Sequence, residues 1–380
     1  QINRRSDTFA YFQRQGLDFP IQPEVFGLAE EYLGSYAPAN AMAATVNVLR
    51  AKAASVLLRS EQYQQLHKGL IASMEVLNAL NDLVKKIDLD LVAPAKNILS
   101  DKRLAWLLAE RGKTELPVMA LAKYDGLLRS TLRKEMEVLL DIIYQLDVFI
   151  AVSAAARDHD FCYATALPGS ANIFDATGLR HPGIAGAISN PVSISAGSNV
   201  IFLTGANMAG KSTLMKSFGI AVYLAHMGFP VAAKTLSFSI RHGLYTSINV
   251  PDNLSMGQSH FYAEVLRVKM VAKEVSSGKN MIVIFDELFK GTNVKDAYDA
   301  TFACTAAFAK YYNCGYLIST HIIELGEALK DLDNVQFQFL PTIMEGNTPR
   351  YTYKLSPGIT SDRQGMIIIE NEKILDDLYL

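Results

Sequence analysis

Apolar positions recur at spacings of three and four along the first part of the chain, as they do in helices that bury one face. The clearest such run places six residues on one face: Leu132, Met136, Leu139, Ile143, Leu146 and Ile150. Two further stretches, Ala41–Leu58 and residues 70–87, show a similar pattern. Proline and glycine residues interrupt the region at Pro94, Pro117 and Gly126. The pattern predicts an all-α domain over residues 1–157.

The pattern changes at about residue 158. Short apolar runs rich in β-branched residues now alternate with helical stretches; the runs are "NVIFL" (199–203), "MIVIF" (281–285) and "GYLIS" (315–319). Strands that alternate with helices predict an α/β domain with a largely parallel sheet. We therefore expect two domains, an all-α domain over residues 1–157 and an α/β domain over residues 158–380.

Composition limits the classes of function. Half of the 380 residues are hydrophobic, which is enough for a sizeable core, and the net charge is only −2. Basic and acidic residues also nearly balance within the helical part, so no overall basic field indicates nucleic-acid binding.

The cysteines and the hydropathy indicate the cellular location of the protein. Cys162, Cys304 and Cys314 have no metal-site spacing and cannot all pair, which is typical of buried thiols in a reducing cytoplasm. No apolar run reaches the roughly 20 residues of a membrane span. We expect a cytoplasmic protein without a membrane partner. Because the chain begins at Gln1, we also expect it to be part of a longer gene product.

The stretch "TGANMAGKST" (204–213), here called the phosphate loop, fits the nucleotide-binding pattern GxxxxGK[ST] through Gly205, Gly210, Lys211 and Ser212. It lies between an apolar run and a helix-like stretch, which is the context that the motif requires. Backbone N–H groups and a helix N-terminus would face the phosphates of ATP. Lys211 would contact the β- and γ-phosphates, and the Ser212 hydroxyl would bind Mg²⁺.

Acidic residues follow the second apolar run. Asp286 and Glu287 come at its carboxyl end, where ligands bind to open parallel sheets. Asp286 is a candidate for the Mg²⁺ shell, and Glu287 for the base that orients and deprotonates the attacking water. The alternative is an acidic pair that only caps a strand end. His321 follows the third run and is either a surface residue or a contact to the γ-phosphate; its place beside the other two strands favours the contact.

A polar stretch, "DNLSMGQSHFYAEV" (252–265), opens a further predicted helix. Ser259 is a plausible N-cap of this helix. The N-terminus of such a helix is a site where anions bind. The stretch lies between the phosphate loop and the acidic pair in sequence, which suggests a role beyond capping.

Four stretches, in this order, resemble the ATPase domain of the MutS mismatch-repair family, which belongs to the ABC-type ATPases: "TGANMAGKST", "DNLSMGQSHFYAEV", "FDELFKGTNVKDAYDAT" and "STHIIEL". "GLRHPGI" (178–184) resembles the segment that introduces this domain, and "YKLSPGITSDRQG" (353–365) its closing segment. The resemblance covers about residues 135–370 and is weaker before them. It implies an α/β ABC-type P-loop ATPase domain preceded by an all-α lever domain.

The resemblance also implies a mechanism and residue roles. ABC-type ATPases dimerise head to tail about their nucleotides, so Ser259 would contact the γ-phosphate bound by the partner, and Gly291 and Thr292 would lie in the loop that crosses the interface. Tyr353 falls where a side chain would stack on adenine. The implied nucleotide-binding residues are Gly205, Asn207, Gly210, Lys211, Ser212, Thr213, Ser259, Thr292 and Tyr353; the catalytic ones are Lys211, Glu287 and His321; the metal ligands are Ser212 and Asp286.

The chain departs from the family pattern in two ways. The phosphate loop has Ala206 and Ala209 where Pro and Gly are usual, and the signature stretch has Met256 and Gln258 where Ser and a charged residue are common. In addition, nothing resembles the mismatch-reading domain, and only about 20 residues (111–130) stand where a DNA clamp is expected. We therefore expect a short member that lacks the mismatch-recognition and clamp domains.

Two functions remain open. The first is an ATP-switched dimer that acts on mismatched or branched DNA, which a local basic patch would help to bind; its residues are Lys85, Lys86, Lys96, Lys102 and Arg103. The second is an ATP-switched scaffold that binds another protein and makes no direct DNA contact. A chromosome-maintenance ATPase is disfavoured because long sustained heptads are absent from the sequence.

Overall fold

The computed structural model describes residues 1–36, 38–248, 260–345 and 348–360. The chain forms two compact units, one of residues 11–154 and one of residues 1–10 together with residues 155–380. The first ten residues thus group with the later part of the chain. The domain boundary that we placed after residue 157 stays a prediction.

The helical unit, with the segments that lead into and out of it, contains the α-helices that precede the first strand. They are α1 (Ile2–Gln15), α2 (Pro23–Gly34), α3 (Ala41–Leu58), α4 (Gln62–Lys85), α5 (Ala93–Leu99), α6 (Trp106–Ala109), α7 (Val118–Gly126) and α8 (Arg133–Asp158). A π-helical turn, Leu127–Thr131, joins α7 to α8. Residues 111–130 therefore contribute α7 and most of this turn to the unit.

The core of the helical unit forms around α4 and α8. The stripe predicted on residues 132–150 is the face that α8 buries, with Leu132, Met136 and Leu139 at most 2% exposed and Ile150 packed at the edge of the core. Among the described helices, α8 also has the length and composition of a membrane span, a property that it shares with core helices of soluble proteins. Of its most apolar 18-residue window, 28% is buried inside the protein.

Helix α3 differs from the single apolar stripe that we predicted. It buries Ala44 and Val48 but leaves Met42 and Leu57 78% and 79% exposed. The reason is its composition: the apolar residues of this helix are distributed around its whole circumference, and packing against one face cannot bury all of them.

The single tryptophan of the chain lies in the helical unit. The Trp106 ring at the start of α6 stacks on the Tyr124 ring of α7, with centroids 3.6 Å apart and an interplanar angle of 5°. Aromatic pairs in such contact stabilise a fold beyond the area that they bury. The stack therefore ties α6 to α7.

A buried ion pair lies where α2 meets the π-helical turn. Arg129 contacts Asp125 at 2.7 Å, and the Tyr32 hydroxyl donates to the same carboxylate at 2.6 Å. A second guanidinium nitrogen of Arg129 donates to Ser35 Oγ at 2.7 Å. Burial and the neighbouring Asp125 raise the pKa of Tyr32 well above its usual value, so its hydroxyl keeps its proton.

Removal of the carboxylate from this network is expected to destabilise the helical unit strongly. The Asp125 and Arg129 side chains are 0% and 7% exposed, so Asp125→Ala leaves a buried charge without its partner, at a cost of about 3–5 kcal/mol. Urea unfolding followed by circular dichroism measures the loss. Glu137→Ala breaks the exposed pair with Arg133 and should cost less than about 1 kcal/mol. Equal losses in the two variants would contradict the argument.

The α/β unit contains the remaining elements. They are β1 (Cys162–Tyr163), β2 (Thr165–Leu167), β3 (Phe174–Leu179), β4 (Asn190–Ile194), β5 (Val200–Gly205), α9 (Lys211–Met227), β6 (Pro230–Val231), β7 (Thr235–Ser239), β8 (Gly243–Ser247), α10 (His260–Ser276), β9 (Met281–Asp286), α11 (Val294–Ala309), β10 (Gly315–Ser319), α12 (Glu324–Ala328), β11 (Val335–Leu340), β12 (Thr342–Glu345), β13 (Thr348–Tyr351) and β14 (Ser356–Pro357). The three predicted strands correspond to β5, β9 and β10.

Within the part of the chain that the structure describes, the main sheet has six strands in the order β14-β11-β5-β10-β9-β8. All neighbouring pairs are parallel except β14, which runs antiparallel on β11. A four-stranded mixed sheet, β2-β7-β3-β4, and two small antiparallel pairs, β1-β6 and β12-β13, complete the strands. The helices and mixed sheets of this unit agree with the predicted α/β class.

The register of the main sheet brings the ends of β5, β9 and β10 to one edge. Strand β5 lies between β10 and β11, and β10 also pairs with β9. Ser319 at the end of β10 is the register partner of Asp286 at the end of β9. The loops that follow these strands therefore meet at the carboxyl edge of the sheet, where ligands bind in open α/β sheets.

Candidate functional site

The phosphate loop connects the buried strand β5 to α9 through left-handed glycines. Gly205 and Gly210 have φ angles of 147° and 101°. A Cβ on Gly210 would lie 3.0 Å from the Tyr353 ring. Glycine is therefore needed at this position both for the backbone conformation and for the close approach of the ring. Ala209, which departs from the family pattern, is buried.

Lys211 at the start of α9 folds back over the phosphate loop. Its side chain is nearly fully buried, and its Nζ donates to the carbonyl oxygens of Gly205 and Ala206 at 2.8 and 3.1 Å. Burial lowers the pKa of Lys211, while the charges of Glu287 and Asp286 act in the opposite direction. The ammonium group is thus held at the centre of the loop by weak neutral acceptors, which phosphate oxygens can replace.

Asp286 connects the phosphate loop to the ends of β9 and β10. The Ser212 hydroxyl donates to Asp286 Oδ2 at 2.8 Å, and the Ser319 hydroxyl donates to Oδ1. The described residues hold no cluster of three or more His, Cys, Asp or Glu side chains that would bind a metal ion. Mg²⁺ that binds together with a nucleotide takes one or two carboxylates plus phosphate oxygens, and the juxtaposed Ser212 and Asp286 fit that requirement.

Glu287 is surrounded by basic groups. His321 Nε2 is hydrogen-bonded to Glu287 Oε1, and Lys290 Nζ lies 3.7 Å from Oε2. The hydrogen bond from His321 is the main cause that lowers the pKa of Glu287; the charges of His321, Lys290 and Lys211 add to it, and burial opposes it. The carboxylate therefore stays ionised at pH values below the usual range for glutamate.

The backbone around Glu287 is strained. Residues 286–291, here called the acidic loop, contain Glu287 and Phe289 with φ angles of 57° and 61°. Bulky residues rarely adopt this left-handed conformation, which costs about 1–3 kcal/mol for each residue. Such strain persists only where surrounding contacts fix the backbone, and it concentrates at functional sites.

Three hydrogen bonds from other elements fix the acidic loop. Glu287 N donates to Ser319 O at 3.1 Å, and Phe289 N donates to Glu264 Oε1 at 2.8 Å. The Thr301 hydroxyl donates to Leu288 O at 3.3 Å. We did not predict Glu264, Thr301 or Ser319, because only the folded chain brings α10, α11 and β10 against this loop.

A cavity of about 540 Å³ opens beside the phosphate loop. Its wall includes residues of the phosphate loop and the start of α9, together with apolar side chains from the end of β3 and the segment after it: Gly210, Ser212, Thr213, Leu179, Ile184 and Ile188. Tyr353 also lines it, and its carbonyl accepts a hydrogen bond from Asn190 at 2.9 Å. The volume is in the range of ligand pockets. We did not predict the apolar wall, although the stretch "GLRHPGI" indicated its location.

The structure brings together most of the predicted site residues in the α/β unit. Asn207 is exposed on the phosphate loop, and Thr292 is half-buried directly before Asn293, which caps α11 through Asp296 N at 3.0 Å. Ser259, Met256, Gln258 and the closing segment from residue 361 lie outside the described residues. The roles assigned to all of these residues stay predictions.

Three residues of the predicted basic patch contact other groups of the helical unit. Arg103 donates to both carboxylate oxygens of Asp101, and Lys85 Nζ lies 4.0 Å from Asp82. Lys96 Nζ donates to the Ile87 carbonyl at 2.7 Å. The two carboxylates offset part of the positive charge of the patch, while Lys86 and Lys102 remain exposed.

Comparison with known proteins shows that this chain is similar to one protein family. Residues 201–376 match the family model of MutS domain V. The DNA mismatch repair protein MutS of Lactococcus lactis subsp. cremoris (strain SK11) is 27% identical over 237 residues, which are 61% of this chain and 28% of that protein. The DNA mismatch repair protein MutS of Clostridioides difficile (strain 630) is 26% identical over 261 residues, 66% of this chain and 27% of that protein. The chain thus spans between 27% and 28% of the length of these relatives.

Proposed function

The chain belongs to the MutS family, and on that premise we propose that it is a magnesium-dependent ATPase of the ABC type. We further propose that its ATP-switched dimer acts on mismatched or branched DNA. The hydrogen bond of 2.8 Å between Ser212 and Asp286 carries the ATPase proposal. It joins the phosphate loop to the end of β9, as a site for a nucleotide and its metal ion requires.

Each residue of the site has its own role in ATP hydrolysis. Lys211 exchanges the two loop carbonyls for β- and γ-phosphate oxygens. Ser212 and Asp286 would hold Mg²⁺, which would supply positive charge to the phosphates. Glu287, ionised because of its basic neighbours, orients the attacking water and takes its proton. His321 gives up its bond to Glu287 and contacts the γ-phosphate.

The nucleoside part of ATP fits the cavity beside the phosphate loop. Its apolar wall, with Ile184 and Ile188, suits a purine base. Tyr353 lies against Gly210 and is 46% exposed, which leaves it accessible to a base. These contacts support the role of Tyr353 that the family resemblance implies.

The dimer is supported by the family resemblance and by exposure. Gly291 and Lys290 are exposed at the end of the acidic loop, next to Thr292, and are free to approach a second copy. In the ABC arrangement this loop and Ser259 would complete the nucleotide site of the partner. ADP would remain in that site after hydrolysis. The same proposal places the protein in the cytoplasm.

The DNA proposal is tested by the steady-state ATPase rate at low salt, where contacts to phosphate are strongest. We expect one DNA form among homoduplex, mismatched and branched DNA to change the rate about fivefold or more, at the lower end of typical coupling between sites. The response should disappear as salt is raised. A rate that no DNA form changes, with hydrolysis intact, would contradict the DNA proposal.

One observation favours a second function. Lys85 and Arg103 lie beside Asp82 and Asp101, and these carboxylates offset part of the positive charge that the predicted basic patch would offer to DNA. An ATP-switched scaffold that binds another protein requires no such patch. An ATPase rate that is indifferent to DNA is the result that this alternative expects.

A further inference from the structure

Helix α10 contacts the acidic loop through two side chains on one face. Phe261 and Glu264 are three residues apart, so they project from the same side of the helix. The Phe261 ring packs against the Phe289 ring with centroids 6.0 Å apart. Glu264 Oε1 accepts the Phe289 backbone N–H at 2.8 Å. Both contacts of α10 thus converge on one residue of the loop.

Phe289 is also a residue whose strained backbone must be stabilised by contacts from outside the acidic loop. Its φ of 61° is one of the two left-handed angles in the acidic loop, and its side chain is 3% exposed. A carboxylate that accepts a backbone N–H makes a charge-assisted hydrogen bond, which is stronger than a neutral one. Glu264 is itself only 8% exposed, so water competes little for this bond.

From this geometry we propose that Glu264 is a positioning residue: it fixes Phe289, and through the acidic loop it holds the Glu287 carboxylate in place for hydrolysis. The inference rests on the proposed ATPase function. It adds a residue that touches neither nucleotide nor metal in that proposal. It also gives α10, which begins at His260 directly after Ser259 in the sequence, a physical link to the catalytic base.

Three variants of Glu264 separate positioning from packing. Glu264→Gln keeps an oxygen acceptor, Glu264→Met removes it at similar length, and Glu264→Asp keeps the charge but shortens the reach by one methylene group. The matched control is Glu274→Gln on the same helix, where the native carboxylate pairs with Lys279.

The first measurement is hydrogen exchange of residues 286–291 without nucleotide. We expect exchange to rise about tenfold or more in the Met and Asp variants, because the acceptor of the Phe289 N–H is removed or withdrawn, to rise less in the Gln variant, which keeps a neutral acceptor, and to stay at the parental rate in the control. This measurement needs no hydrolysis, so it decides the loop contact even if the ATPase proposal fails. Unchanged exchange in the Met and Asp variants would overturn the inference.

The second measurement is ATP hydrolysis by the same variants. The Met and Asp variants should lose about 10- to 100-fold in kcat, as expected for a misplaced base, with less than about threefold change in KM. The Gln variant should restore most of kcat. Raised exchange with parental kcat would show that the loop contact does not position Glu287. A parental protein that hydrolyses no ATP would instead refute the proposed function.

Discussion

Replacing Glu287 by glutamine is expected to abolish ATP turnover and to trap the ATP-bound dimer. Glutamine keeps the size of the side chain and its bond to His321 but cannot take a proton from water. General bases typically contribute 10²- to 10⁴-fold, so we expect kcat to fall by about 100-fold or more while ATP still binds. A single-turnover assay measures the loss, and sedimentation with ATP measures the trapped dimer.

The control for this variant is Glu324→Gln, which changes an exposed carboxylate at the start of α12. It should hydrolyse ATP at the parental rate. If Glu287→Gln also does so, Glu287 is not the base. The kcat/KM of the parental enzyme should also persist on mild acidification, because in the free enzyme His321 and the other basic neighbours hold the pKa of Glu287 below its usual value and the base loses its charge only at lower pH.

Replacing Lys211 by alanine is expected to abolish most nucleotide affinity. The parental ammonium group lies over the carbonyls of Gly205 and Ala206, where it has two neutral acceptors to exchange for charged phosphate oxygens. Charge-assisted bonds of this kind contribute about 1.5–3 kcal/mol each, so the Kd for ATP should rise about 10- to 100-fold or more. Titration with a fluorescent ATP analogue measures the change.

Lys216→Ala is the matched control for Lys211→Ala. Lys216 is exposed on the same helix, α9, and its removal should leave the affinity unchanged. Circular dichroism should show the same helix content in both variants. Parental affinity in Lys211→Ala would mean that the phosphate loop does not bind nucleotide.

The sequence indicated the elements of the site because local patterns encode them. The buried strands β5, β9 and β10 appear as apolar runs, and polar residues follow each of them directly. Parallel strands bring their carboxyl ends to one edge, so the juxtaposition of Lys211, Asp286 and His321 could be expected before the fold was known. In the structure, the hydrogen bond between Ser212 and Asp286 joins the phosphate loop to the end of β9 at this edge.

Other features could not be predicted because they depend on residues far apart in the sequence. Glu264 meets Phe289 across 25 positions and Asn190 meets Tyr353 across 163, and no local periodicity specifies such pairs. The strain at Phe289 also lacked a signal, since no glycine marks the left-handed position. For α3, the pattern specified a helix but not the side that packs, because apolar residues lie all round it.

The stack of Trp106 on Tyr124 gives the protein an internal optical probe. Because the chain has one tryptophan, all of its indole emission comes from the helical unit, while the proposed nucleotide site lies in the α/β unit. A ring stacked at 3.6 Å is sensitive to any displacement of α6 relative to α7. Indole fluorescence recorded during ATP addition therefore reports, without any attached dye, whether events at the phosphate loop reach the helices.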